Sequence, residues 1–101
     1  MTTKEITCNY YLSPFSSYGG KLIFNKNEMN YTSPHFKKIG INTVSINYKD
    51  VKEIKRFKAI YSLLNFILIP TGIFLIMKDG TIHTFSTFKR KSVVNLIKER
   101  I

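Results

Sequence analysis

Few side chains in this sequence could carry out covalent or metal chemistry. The reactive candidates are Cys8, His35 and His83, together with six carboxylates scattered along the 101 residues. A nucleophile with its base, a metal site or a catalytic carboxylate pair needs several such groups at suitable spacing, and no spacing here fits. Gly19 and Gly20 also lack the spacing of a phosphate-binding loop. We therefore expect a protein that is not an enzyme and that uses neither a metal nor another cofactor.

The composition favours a binding protein with an affinity for anions. Sixteen Lys and Arg residues against six acids give a net charge of +10. Such a surface attracts nucleic acid, anionic lipid headgroups or acidic proteins. The lysines are scattered over nearly every segment, and no ribonucleoprotein motif, helix-turn-helix pattern or zinc spacing is present. Nucleic acid is therefore the least favoured of these three partners.

One group of cations directly precedes an apolar segment. Residues 59–77, AIYSLLNFILIPTGIFLIM, carry no charge, and basic residues flank both ends. This arrangement is typical of an anchor at an anionic membrane surface, but an apolar segment on a small domain also favours association with a protein or a second copy. The predicted anion- or lipid-binding residues are Lys52, Lys55, Arg56, Lys58, Lys89 and Arg90. The predicted interaction or membrane-contact residues are Ile60, Leu63, Leu64, Phe66 and Ile67.

The apolar segment is a poor candidate for a membrane span. About 20 apolar residues are needed to cross the bilayer, and Asn65 and Pro70 interrupt this stretch. Asp79–Gly80 then predicts a hairpin, which makes residues 73–77 a strand. We expect residues 70–72 to form a turn and residues 59–69 to form an apolar insertion, with a short helix over 57–68 placing its apolar residues on one face. The insertion would cover the barrel itself, a second subunit or a lipid surface.

The remaining elements follow from periodicity. Alternation predicts a strand with Ile6, Cys8 and Tyr10 on one face, then a loop over residues 13–20, a hairpin over residues 21–33 and a strand over residues 43–48. Residues 51–57 fit either a helix or a strand with a bulge. Val93, Leu96, Ile97 and Ile101 recur at helical steps and predict a C-terminal helix of about three turns. About seven short strands followed by one helix indicate a mainly β, small antiparallel barrel or sandwich closed by the helix.

Length and cysteine content set the expected context. The chain has the size of one domain, residues 1–101. A lone cysteine forms no internal disulfide, and the first residues lack the pattern of a signal peptide. We expect a cytoplasmic protein, peripheral to the membrane if the lipid interpretation holds.

Three segments, taken in order, resemble the GRAM domain of small bacterial proteins. They are GGKLIFNKNEMNYTSPHF, NTVSINYKDVKEI and LIPTGIFLIMKDGTIHTFSTFKRKSVVNLI, and the resemblance covers residues 19–101. It implies a pleckstrin-homology-like fold, in which seven antiparallel strands form a bent barrel capped by the C-terminal helix. The link KRFKAIYSLLNFILIP is longer and more apolar than the family pattern.

The resemblance does not supply a ligand site. Eukaryotic relatives often bind phosphoinositides through basic residues near the first loop, but SPFSSYGG has no basic residue before Lys21. We expect a binding or interaction module of undetermined ligand, with protein or self-association through residues 59–69 ranked first. Anionic lipid binding through residues 52–69 ranks second, and nucleic-acid binding ranks third.

Overall fold

A computed structural model of the chain describes residues 4–13, 16–62 and 67–101. These residues form seven β-strands and one α-helix, with short 3₁₀ helices on either side of the fourth strand. In chain order the elements are β1 (Lys4–Ser13), β2 (Ser16–Phe24), β3 (Glu28–Thr32), β4 (Val44–Asn47), β5 (Val51–Ser62), β6 (Ile67–Met77), β7 (Ile82–Ser86) and α1 (Arg90–Lys98).

The strands form one antiparallel sheet in the order β4-β3-β2-β1-β7-β6-β5. β1 pairs with β2 along most of its length and with β7 near its end, so it joins the two halves of the sheet. β4 and β5 are the edges of the described sheet. The predicted fold class is confirmed: the protein is mainly β, with seven antiparallel strands and one C-terminal helix that closes the core.

The core lies on the face of the sheet that the alternating pattern predicted. Ile6, Cys8 and Tyr10 are buried while their neighbours in β1 face outward. Tyr31 is fully buried, and its ring packs against Tyr10 and Phe85 at centroid distances of 5.4 and 5.9 Å. Its hydroxyl donates to the carbonyl oxygen of Cys8 at 2.8 Å, so the buried polar group is satisfied.

The C-terminal helix covers this core with its apolar side. Val93, Val94, Leu96 and Ile97 are buried in the same cluster as the strand residues. The amphipathic pattern therefore predicted the helix correctly. Ile101, which the pattern placed on the apolar stripe, lies beyond the last helical residue and is about half exposed.

The hairpin at Asp79–Gly80 is confirmed. The backbone N–H of Gly80 donates to Met77 O and the N–H of Met77 donates to Thr81 O, which closes a loop of three residues. Gly80 has φ of 93°, a value that glycine adopts without steric cost. Asp79 Oδ1 accepts the N–H of Thr81 at 2.9 Å, and this hydrogen bond lowers the pKa of Asp79.

The loop predicted over residues 13–20 is wrong from Ser16 onward. β2 begins at Ser16, and Gly19 and Gly20 pair with Asn9 and Cys8 of β1. A Cβ at Gly20 would overlap the carbonyl oxygen of Thr32. The glycine thus permits a close approach between strands instead of forming a turn. Pro14 and Phe15 of the predicted loop lie outside the described residues.

The structure decides between the two alternatives for residues 51–57, and it shows that the helix predicted over residues 57–68 is wrong. Residues 51–57 are the bulged strand instead of the helix, with an irregular register between Val51 and Glu53. The helix expected over residues 57–68 is absent from its described parts, because residues 57–62 and 67–68 pair as strands of β5 and β6. Paired strands satisfy the backbone, and isoleucine-rich segments fit a pleated surface well.

The turn expected at residues 70–72 is a bulge inside β6. Phe57 pairs with Gly72 and Ala59 with Ile69, so β6 has one extra residue at this point. Proline is tolerated at a bulge because its missing N–H interrupts no ladder bond there. The signal that suggested a turn therefore marks an irregularity in a continuous strand.

Candidate functional site

The β5–β6 hairpin extends beyond the sheet. β7 pairs with β6 only from Gly72 to Ile76, and one further bond runs from the N–H of Thr87 to Thr71 O at 2.9 Å. In the described part of the chain, residues 59–62 and 67–70 pair only with each other. We call these eight residues the arm. Each of its two strands spans roughly 13 Å.

The arm is apolar in sequence, and two of its residues are exposed to solvent. All its residues except Tyr61 and Ser62 are aliphatic or proline. Leu68 is 54% exposed and Pro70 is also exposed. A two-stranded hairpin is at best marginally stable in water on its own, so an apolar arm gains stability from any surface that covers it.

Phe88 adds a large aromatic side chain at the base of the arm. It directly follows Thr87, whose N–H bonds to Thr71 beside the arm, and its side chain is 84% exposed. A phenylalanine this exposed is uncommon, because burying it would gain about 1.5–3 kcal/mol. An exposed aromatic group therefore lies at the base of an aliphatic arm.

Several cations surround the same base. Lys58 is exposed immediately before the arm begins. Arg90 Nη1 donates to Phe57 O at 3.2 Å, which places the start of α1 against β5. Lys89 and Lys91 flank Arg90 and are exposed. We call Lys58, Lys89, Arg90 and Lys91 the basic collar. The ion pairs found among the described residues, Lys21–Glu5 and Arg100–Glu99, include none of its members.

The structure divides the cations that the sequence had grouped. Lys58, Lys89 and Arg90 meet at the base of the arm. Lys52 lies at the opposite end of β5, about 20 Å from Lys58 along an extended strand. Lys55 pairs with Phe74 on the outer face of the sheet, while Arg56 pairs with Ile73, whose side chain is buried. The predicted set is therefore divided into four: the three cations at the base of the arm, and Lys52, Lys55 and Arg56 at separate positions of β5.

Two of the predicted contact residues are described by the structure, and both belong to the arm. Ile60 and Ile67 lie in its two strands. Leu63, Leu64 and Phe66 lie outside the described residues. Leu68 lies within the apolar insertion predicted over residues 59–69, whereas Phe88 was missed by sequence reasoning. The available signal for Phe88 was a single large aromatic residue between polar neighbours, two residues before a helix.

The titratable groups of the core are not activated for chemistry. Burial raises the pKa of the Cys8 thiol to about 12, so it is protonated and a poor nucleophile at neutral pH. His83 Nδ1 lies 2.8 Å from the Tyr10 hydroxyl, and burial lowers the pKa of His83. Within residues 4–13, 16–62 and 67–101, no group of three His, Cys, Asp or Glu side chains is placed to hold a metal ion.

None of the helical segments that the structure describes has both the length and the apolar character required to cross a bilayer.

The comparisons with known proteins establish a fold. No family model matches the chain, and no curated protein matches it. The structure is similar to the crystal structure of the C-terminal domain of an unknown protein from Leishmania infantum, with a TM-score of 0.72 and 12% sequence identity. The match covers 96% of this chain and 80% of that one. The resemblance to GRAM domains stays a prediction.

Proposed function

We propose that this protein is a non-enzymatic binding module that attaches to anionic membrane surfaces through the arm and the basic collar. The observation that carries the proposal is that the exposed Phe88 and Leu68 lie at the same end of the β5–β6 hairpin as the basic collar, whose members enter no ion pair among the described residues. Each cation near an anionic leaflet contributes about 1 kcal/mol. Apolar groups that enter the headgroup region add about 25 cal/mol for each Å² removed from water.

The arm suits the interfacial layer better than the hydrocarbon layer. Its outer strand edges carry backbone N–H and C=O groups that β5 and β6 do not pair with each other. Such groups cost several kcal/mol each in hydrocarbon but can bond to water among the headgroups. The module would therefore rest on the membrane surface, with Phe88 and Leu68 inserted at headgroup depth and the collar facing lipid phosphates.

Self-association through the arm is the second candidate. The same open edges could accept a strand from a second copy, which would also cover the apolar faces. Two features oppose it. Each copy carries a net charge of +10, and Pro70 has no N–H to donate to a partner strand. The membrane proposal therefore ranks first.

Vesicle flotation tests the membrane proposal. We expect the protein to float with vesicles of phosphatidylcholine and phosphatidylserine and to remain in solution with phosphatidylcholine alone. The triple variant Lys58→Glu, Lys89→Glu, Lys91→Glu should bind anionic vesicles at least 100-fold more weakly, from about 1 kcal/mol for each cation lost.

A charge-matched control distinguishes the effect of where the cations lie from the effect of the total charge. The variant Lys26→Glu, Lys37→Glu, Lys38→Glu changes the net charge equally, but its residues lie in the β2–β3 turn and after β3, towards the opposite edge of the sheet. It should lose much less affinity than the collar variant. Equal losses would contradict the assigned site.

Sedimentation velocity tests the second candidate: a dimer that fails to float would replace the membrane proposal with self-association.

A further inference from the structure

The outer face of the sheet carries a groove that is separate from the arm. It has a volume of about 370 Å³ and is mainly apolar. Its lining residues come from β1, β5, β6 and β7, namely Tyr11, Leu12, Phe57, Phe74, Ile82 and Thr84, with Ser13 at the rim. A volume above 300 Å³ with a few polar groups is typical of small-molecule sites.

The two phenylalanines give the groove a rigid wall. Phe57 and Phe74 stack with their ring centroids 4.2 Å apart and their planes at 19°. The Phe57 ring lies over Gly72, where a Cβ would come within 2.6 Å of the ring carbons. Opposite this wall, Leu12 and Ile82 are 42% and 56% exposed. Apolar surface is therefore open to solvent on both sides of the groove.

A row of paired residues crosses the groove at right angles to the strands. Lys55 pairs with Phe74, Phe74 with Thr84, and Thr84 with Tyr11. Paired residues point to the same face of a sheet, and strands lie about 4.8 Å apart, so the row is about 14 Å long. It begins at the exposed Lys55, which lies next to the lining of the groove, and continues over the lining residues Phe74, Thr84 and Tyr11.

Charge is placed at one end of this row. Lys55 is exposed, and neither ion pair of the described residues includes it. Glu53 is on the same face of β5 but pairs with Ile76, farther towards the Asp79–Gly80 turn. Lys55 would therefore attract an anionic group to this end of the row. Glu53 would repel the same group from the part of β5 nearer the Asp79–Gly80 turn.

We infer that the groove binds a single-chain fatty carboxylate, with its head group at Lys55 and its alkyl chain across Phe74 and Thr84 towards Tyr11. An extended chain advances about 1.2 Å per covalent bond, so about twelve carbons match the 14 Å row. The assignment is independent of the proposed membrane attachment, because it uses different residues and a ligand that is monomeric in solution.

Titration with monomeric dodecanoate tests the inference. Calorimetry should show saturable binding, and amide shifts in ¹H–¹⁵N spectra should fall on β1, β5, β6 and β7. Lys55→Gln should weaken dodecanoate binding about three- to fivefold, the range of an exposed ion pair, and leave dodecanol binding unchanged. Lys52→Gln, on the same strand but away from the groove, should have no effect.

A second variant tests the groove itself. Thr84→Trp places a large side chain in the middle of the row and should abolish binding of both ligands, while Ile82→Ser should weaken both and preserve the dispersed spectrum of a folded protein. Shifts confined to the arm, no saturable binding, or equal effects of Lys55→Gln and Lys52→Gln would each overturn the inference.

Discussion

The two halves of the β5–β6 hairpin differ in support and in charge. In the sheet half, Ile73 and Leu75 are fully buried, and the free edge of β5 carries Lys52, Lys55 and Arg56. In the arm, β7 no longer pairs with β6, and no charged residue is present. Lysines on an edge strand discourage pairing with other chains. The hairpin is thus protected along the sheet and unprotected along the arm, which is where we expect contact with a partner surface.

The largest expected effect is a difference in the free energy of unfolding between alanine variants of two leucines in β6. Leu75→Ala should lower the free energy of unfolding by about 2–5 kcal/mol, because a fully buried side chain leaves a cavity. Leu68→Ala should change it by less than about 0.5 kcal/mol, because Leu68 is exposed on the arm. Urea denaturation measures both. A cost of several kcal/mol for Leu68→Ala would mean that the arm is part of the core.

The next effect concerns attachment instead of stability. The double variant Leu68→Asp, Phe88→Asp should bind anionic vesicles at least about tenfold more weakly, since it replaces apolar contact with charge repulsion. Ile39→Asp is the control, because Ile39 is 43% exposed but lies after β3, towards the other edge of the sheet. Because Ile39→Asp adds one negative charge where the double variant adds two, a loss of binding free energy half as large for Ile39→Asp would point to net charge alone as the cause.

A smaller effect is expected where the two halves join. Gly72→Ala should lower the free energy of unfolding by about 1–3 kcal/mol, because the new methyl group displaces the Phe57 ring from its stack on Phe74. In a Phe57→Ala background the same substitution should cost much less. If the two costs simply add, the ring contact is not the reason for this glycine.

The smallest effect is a pH dependence of the folding stability. It arises at His83 in β7, which pairs with Leu75 in the sheet half of the hairpin. Burial lowers the pKa of His83 below its ordinary 6.5, and the charge of Asp79 opposes this only in part. The unfolded chain therefore takes up a proton first as the pH falls, so the contribution to stability is present above pH 6.5 and declines below it. His83→Gln should flatten the change in melting temperature between pH 7 and pH 5. An unchanged slope would exclude His83 as its source.

Sequence reasoning correctly predicted the elements that follow from a regular apolar spacing or from a specific turn sequence. The alternation in β1, the Asp79–Gly80 hairpin and the apolar stripe of α1 each report a local constraint, so they were right. The failures arise where one pattern has two physical causes. Gly20 and Pro70 suggested a loop and a turn, but Gly20 permits close strand packing and Pro70 occupies a bulge.

The candidate site could be predicted only in part. The charge-to-apolar transition at Lys58 is visible in the sequence, and the arm begins at the next residue. The contribution of α1 is not visible, because Arg90 reaches Phe57 O across 33 positions of the chain. The exposure of Phe88 also depends on tertiary packing, since isolated aromatic residues are usually buried.

A single-tryptophan probe tests the central claim most directly. The chain contains no tryptophan, so Phe88→Trp reports on the base of the arm alone, and Ile39→Trp serves as the control. We predict that the emission of Trp at position 88 shifts to shorter wavelength on anionic vesicles and is quenched by lipids brominated near the headgroup. Trp at position 39 should show neither change. An unchanged spectrum at position 88 on vesicles that bind the protein would contradict attachment through the arm.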